Sequence, residues 1–141
     1  MKKSLTESID ISVKFNEADP LGIVWHGHYI RYFEDGREDF GIKHGLSYLD
    51  VFNQGFITPI ISIQCDYKRP LKYGDRLIIK STFFHCDAAK IKFTYNIFNA
   101  QTLEQVANGS SIQVFLNKNT MTLQLTNPLF FEEWKNKLDL I

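Results

Sequence analysis

Between positions 9 and 15 the chain alternates: Ile9, Ile11, Val13 and Phe15 are apolar, and Asp10, Ser12 and Lys14 between them are polar. A two-residue period is that of a half-buried strand. Over 26–40 the period lengthens. Trp25, Tyr29, Tyr32, Phe33, Gly36 and Phe40 fall near helical spacing, with Arg31, Glu34, Asp35, Arg37, Glu38 and Asp39 on or beside the opposite face. This pattern predicts one long helix in the first half of the chain, opened by His26. Gly36 inside it costs about 1 kcal/mol relative to Ala, so something is expected to pack closely there. Gly41 and Gly45 offer places to stop, and a short turn of helix is expected over 47–52.

Alternation then returns. Ile61, Ile63, Cys65 and Tyr67 share one face of a predicted strand that closes at Pro70 and Gly74-Asp75. Further strands are expected over 76–86, over 91–97 after the turn Asp87-Ala88-Ala89, and over 105–117. Short connections imply antiparallel neighbours, and one sheet must then cover the one long helix. Pro128 is placed to start a terminal helix whose apolar side would be Leu129, Phe130, Trp134 and Leu138.

With 141 residues the chain is the length of one domain, read as spanning 1–141, and 44% apolar residues suffice for a core. A monomer of this size buries roughly two-thirds of its unfolded surface. Its aromatic content of 14%, including 12 Phe, leaves apolar area for subunit contacts. Sixteen basic and 16 acidic residues cancel, so no global field draws the protein to nucleic acid or to an anionic membrane. Met1-Lys2-Lys3 leads straight into polar residues, and no apolar run of spanning length follows; the chain is read as cytoplasmic. Cys65 and Cys86 lack metal-site or redox spacing and are expected to be reduced, half-buried thiols in strands.

The candidate chemistry lies in Ala18-Asp19-Pro20-Leu21-Gly22-Ile23-Val24-Trp25-His26-Gly27-His28-Tyr29. A carboxylate in a Pro/Gly turn precedes the start of a helix, where exposed N–H groups and the positive end of the macrodipole favour developing negative charge. The arrangement suits attack on a carbonyl whose oxygen becomes an oxyanion. Other readings of the same residues stay open: Asp19 as a turn former, His26 as a first-turn residue stacked on Trp25, and His28 and His44 as packed or solvent-facing groups. Asp19, His26 and His28 lack the second carboxylate a metal trio would need, and no metal is expected.

The run from Asp19 to Tyr29, continued by Tyr32-Phe33-Glu34, resembles the hotdog-fold acyl-CoA thioesterases of the 4-hydroxybenzoyl-CoA thioesterase type, the group that includes the YbgC-like enzymes. Thr58-Pro59-Ile60 resembles that family's lead-in to its second strand, and the segment from Tyr67 to Gly74-Asp75 the approach to its third. The resemblance covers the chain from Val13 to Leu116. It implies an α+β hotdog fold, an antiparallel five-stranded sheet wrapped around one long helix, with dimers or tetramers and a site at the subunit interface. Asp19 falls where the family keeps the carboxylate that attacks the thioester or activates water. His26 falls where YbgC-like members have histidine and the 4-hydroxybenzoyl-CoA enzyme has tyrosine; the backbone N–H there would polarise the carbonyl.

The implied substrate is an acyl-CoA thioester, aromatic or short-chain, or the corresponding acyl carrier protein thioester. Coenzyme A enters only as part of the substrate, and no other cofactor is implied. Trp25 and Tyr29 are expected to line the acyl pocket, with Thr58 as a further substrate contact. Coenzyme A phosphates require a local basic patch, for which Lys90 and Lys92 are favoured over the Lys68-Arg69-Pro70-Leu71-Lys72 run because Lys90 lies near a basic position of the resembled enzymes. A dehydratase of the same fold would need a catalytic His and Glu in another context, and no His-x-x-x-x-Pro-Gly run is present. A non-catalytic acyl-binding module is the remaining alternative, against which Asp19 counts.

Overall fold

The alternating segments become paired strands and the aromatic stripe becomes the buried face of a helix, as seen in a computed structural model that describes residues 3–141. The expectation of a polar start at Met1 and Lys2 lies outside the described residues. In chain order the elements are β1 (Ser4–Ser12), a 3-10 turn (Phe15–Glu17), α1 (His28–His44), α2 (Tyr48–Asn53), β2 (Phe56–Ile57), β3 (Ile60–Tyr67), β4 (Arg76–Phe84), β5 (Lys90–Asn99), β6 (Gln105–Val114), β7 (Leu116–Asn117) and α3 (Leu129–Lys137). Among the described residues no helix is long and apolar enough to cross a membrane.

Five strands form one antiparallel sheet in the order β1-β4-β5-β6-β3. The hairpins β4–β5 and β5–β6 follow the expected pairing of consecutive strands. The connection from β3 to β4 does not: it crosses the sheet, so β3 pairs with β6 and β4 with β1. β1 starts earlier than its alternation suggested because Ser4 already pairs with Phe84, and it stops at Ser12. Phe15, expected on the buried face, is 78% exposed because the chain has turned into the 3-10 segment. The stretch expected as one strand over 105–117 breaks at Phe115, and its tail, β7, pairs with β2 in a separate two-stranded ribbon. Cys86 lies just past the end of β4 rather than in a strand; both cysteines are free and half-buried.

α1 presents Tyr29, Tyr32, Phe33, Gly36 and Phe40 to the sheet, all buried. Phe33 stacks on Tyr95 of β5 with ring centroids 4.5 Å apart, and Phe40 packs on Phe83 and Phe93. A Cβ at Gly36 would stand 2.3 Å from Ser81 Oγ, which answers the question raised by a glycine in mid-helix. The helix runs two residues later at its start and four later at its end than the expected 26–40. Gly45, in the left-handed conformation, supplies the stop, whereas Gly41 is buried inside the helix against the backbone of Leu46. Ser47 caps α2, accepting from the Asp50 N–H while Asp50 accepts from the Ser47 N–H.

α3 is rotated from expectation. Phe131 and Lys135 are buried, Phe130 and Trp134 are half-buried and Leu129 is 74% exposed. Phe131 fills a gap among Phe83, Phe115 and Trp134, and Trp134 Nε1 donates to the His44 carbonyl at 2.6 Å, which together fix the rotation.

Candidate active site

Asp19 opens a tight turn for which its neighbours are suited: Asp first, Pro20 second and Gly22 fourth, with Gly22 at φ +82°. The Gly22 N–H donates to the Asp19 carbonyl at 2.9 Å and the Asp19 N–H to Ile23 O at 2.8 Å, while Ala18 bridges Val24. One carboxylate oxygen, Oδ1, accepts the Leu21 N–H at 2.8 Å. That bond fixes the plane of the carboxylate and leaves Oδ2 without a protein partner among the described residues.

The loop is pinned at three places. Val24 N–H donates to Leu71 O at 2.8 Å, Trp25 N–H to Glu17 O at 3.0 Å, and Val13 N–H to Asp75 O at 2.9 Å. Glu17 itself is buried; its carboxylate accepts the Lys14 N–H at 2.6 Å and the Tyr32 hydroxyl at 3.1 Å, and is paired with Arg31. Burial pushes its pKa up, but the Lys14 N–H, Arg31 and Tyr32 together hold it below the ordinary carboxylate value. Burial and the adjacent Glu17 charge push the Tyr32 hydroxyl up in turn. The base of the Asp19 loop is thereby clamped to the first turns of α1.

His26 does not open the helix. It lies in the turn before it, exposed, and α1 starts at His28 with Gly27 as N-cap. Neither a capping side chain nor an acidic first-turn residue neutralises this end of the 17-residue helix. The N–H groups of His26 and Gly27 have no partner among the described residues. Trp25 lies over Gly27, where a Cβ would stand 2.1 Å from the indole, and its ring is 5.1 Å from that of His26.

A cleft of about 390 Å³ joins these parts. Asp19, His26 and Tyr29 line it with Leu21, Ile23, Tyr67 and Pro70, and Lys68 and Arg69 stand at its rim, Arg69 paired with Glu104 at 3.0 Å. Burial pushes the Tyr29 hydroxyl up to about 12, so it stays protonated near neutrality. Thr58 lies elsewhere in the chain. It lines a second cleft, about 310 Å³, with Glu34, Arg37, Phe40, Phe93 and Gln113, and its carbonyl accepts from Gln113 Nε2 at 2.8 Å. Lys90 and Lys92 lie on β5 and line neither cleft. Tyr67 and Glu17 belong to the site's surroundings but carried no sequence signal of it: Tyr67 read as a strand residue, and Glu17, between the first strand and the turn, was not singled out.

The thioesterase-like superfamily model matches residues 13–134. The chain belongs to the thioesterase-like superfamily. Among relatives of this superfamily, the chain is 31% identical to YneP of Bacillus subtilis, a proposed acyl-CoA thioesterase, over 90 residues, covering 64% of this chain and 65% of YneP. It is 31% identical over 84 residues to the 4-hydroxybenzoyl-CoA thioesterase of Pseudomonas sp. strain CBS-3, covering 57% of this chain and 58% of that one. The matches thus span less than two thirds of these relatives' length. The crystal structure of a DHNA-CoA thioesterase from Staphylococcus aureus is similar at a TM-score of 0.84 and 26% identity, covering 95% of this chain and 91% of that one. The chain has the hotdog fold: its antiparallel sheet is wrapped around α1.

Proposed function

We propose that this protein hydrolyses acyl-coenzyme A thioesters to the free acid and coenzyme A, with Asp19 as nucleophile or general base. The observation that carries the reading is one placement: a carboxylate with one oxygen tied and one free, in the same cleft as the start of an uncapped helix whose His26 and Gly27 amides are unpaired. A thioester carbonyl is electrophilic and a thiolate leaves readily, so one positioned carboxylate and one or two donors suffice.

The carbonyl oxygen accepts the His26 N–H, where charge develops on it. Asp19 either adds to the carbonyl carbon, giving an anhydride that water opens, or takes a proton from the water that adds. In both routes the C–S bond breaks, the sulfur leaves as coenzyme A thiolate and the acyl carbon keeps a water oxygen or an Asp19 oxygen exchanged for one. Tyr29 borders the acyl group, which is aromatic or short-chain, whereas Trp25, expected beside it, does not line the Asp19 cleft and packs over Gly27. Coenzyme A phosphates fall to Lys90 and Lys92 or to the rim residues Lys68 and Arg69. The protein works as a cytoplasmic homodimer or tetramer with its site at a subunit interface, the arrangement in which Thr58, Lys90 and Lys92 serve the same reaction as Asp19.

Thiol release from aromatic, short-chain and long-chain acyl-CoA thioesters, and from acyl carrier protein thioesters, tests this reading. One substrate class is hydrolysed, and Asp19→Asn loses at least ~10²-fold in turnover. A panel with no turnover, or a variant as active as its parent, overturns it in favour of a binding module. Single-turnover reaction in heavy-oxygen water separates the two routes, since isotope in the Asp19 side chain excludes pure base catalysis.

A further inference from the structure

The Tyr67 hydroxyl donates to the carbonyl oxygen of His26 at 2.9 Å, linking the end of the edge strand β3 to the turn that precedes α1. It is a contact between residues 41 positions apart, and it reaches the His26–Gly27 segment, whose N–H groups have no protein acceptor among the described residues. Each side of His26 is held differently. On its N-terminal side the Trp25 carbonyl accepts the His28 N–H at 3.0 Å, which fixes the peptide that carries the His26 N–H. On its C-terminal side the His26 carbonyl accepts the Tyr29 N–H only at 3.3 Å, near the long limit, so the shorter bond from Tyr67 is what fixes the peptide that carries the Gly27 N–H.

Because a trans peptide holds C=O and N–H antiparallel, a donor that fixes one fixes the other. The rings reinforce this. The imidazole of His26 lies edge-on to the Tyr67 ring at 6.2 Å, and Tyr67 packs on Tyr29 at 5.1 Å, so one phenol braces the turn and the first helical residue behind it.

We infer that Tyr67 is a positioning residue that sets the orientation of the His26–Gly27 peptide, and through it the Gly27 N–H that joins the His26 N–H at the substrate carbonyl oxygen. The inference rests on the thioesterase reading of the Asp19 cleft. Tyr67 acts through His26 rather than on the reacting atoms. Loss of its hydroxyl frees a turn that donors elsewhere do not hold as well, and a small displacement of an oxyanion donor is felt in the chemical step.

Tyr67→Phe keeps the ring and removes the donor. The expected result is a kcat about tenfold lower, a KM within about twofold of the parent, an unchanged pH profile and an unchanged melting temperature. In nuclear magnetic resonance spectra of the substrate-free protein, the same variant shifts the Gly27 amide signal more than that of His26 and speeds the hydrogen exchange of Gly27. Unmoved amides, an unchanged kcat, or a change confined to KM would each overturn the role; the last would make Tyr67 a pocket wall. If the parent hydrolyses no thioester, the thioesterase reading fails, and the amide signals alone decide whether Tyr67 holds the turn.

Discussion

Glu17 is the residue on which the site most depends without sharing in the chemistry. Its carboxylate is buried with three donors around it, and removing it strands Arg31 and the Tyr32 hydroxyl while loosening the base of the Asp19 loop. Glu17→Ala is therefore expected to lower unfolding free energy by about 2–4 kcal/mol, measured by urea denaturation near neutral pH; a loss below about 0.5 kcal/mol would refute the clamp. The pH dependence has a definite sign. Because the folded pKa lies below the ordinary 4.5, the stability Glu17 contributes is fully present above that value and is lost as the pH falls through the lower folded value. As the pH falls below 4.5 the parent should lose stability more steeply than Glu17→Gln. The Asp19 turn and the buried helical stripe that includes Tyr29 were legible in the sequence because turn chemistry and helical spacing act over a few residues; the helix start expected at His26 lies at His28. Glu17 and Tyr67 were not: their decisive partners lie 14, 15 and 41 positions away, beyond what local pattern can read.

Between elements, the helix can lie deep in the sheet because two glycines remove side chains where they would collide. A Cβ at Gly109 on β6 would stand 2.2 Å from the Gln64 carbonyl of β3 and 2.5 Å from the Phe33 ring of α1. At Gly36 the nearest atoms are Ser81 Oγ and Ile79 Cγ2, both side-chain atoms. The Ser81 hydroxyl is buried without a partner and can rotate, whereas the Gln64 carbonyl belongs to the strand backbone. Gly109→Ala should accordingly cost about 1–3 kcal/mol despite any gain in strand propensity, and Gly36→Ala less. Urea midpoints of the two variants check the order; equal midpoints, or a Gly109→Ala protein as stable as its parent, contradict it. Most elements were readable from hydrophobic period. Less readable were features set by long-range pairing: the β3–β4 crossover, the β2–β7 ribbon and the rotation of α3 onto Phe83 and Phe115. Ile61 belongs with them. Alternation put it inward, but a bulge between Ile60 and Ser62 turns it out, 56% exposed.

For the whole molecule the question is what becomes of the two sheet edges. β1 is guarded: Glu7 pairs with His44 at 2.7 Å and Asp10 with Arg76 at 3.6 Å, so charge discourages another strand. β3 carries Ile61 outward and ends at Tyr67, which reaches into the Asp19 cleft. A formal net charge of zero sets no long-range repulsion between copies. Pairing of β3 with β3 of a second copy would continue the sheet, cover Ile61 and place the Asp19 cleft beside the interface, as the proposed function requires. The parent is then expected to run as a dimer or tetramer in light scattering. Ile61→Lys, which would bury an unpaired ammonium at that seam, should shift it to monomer and cut thioester turnover with it. A monomeric parent that turns over acyl-CoA, or an Ile61→Lys variant with unaltered mass and rate, would place the complete site within one chain and remove Thr58, Lys90 and Lys92 from it.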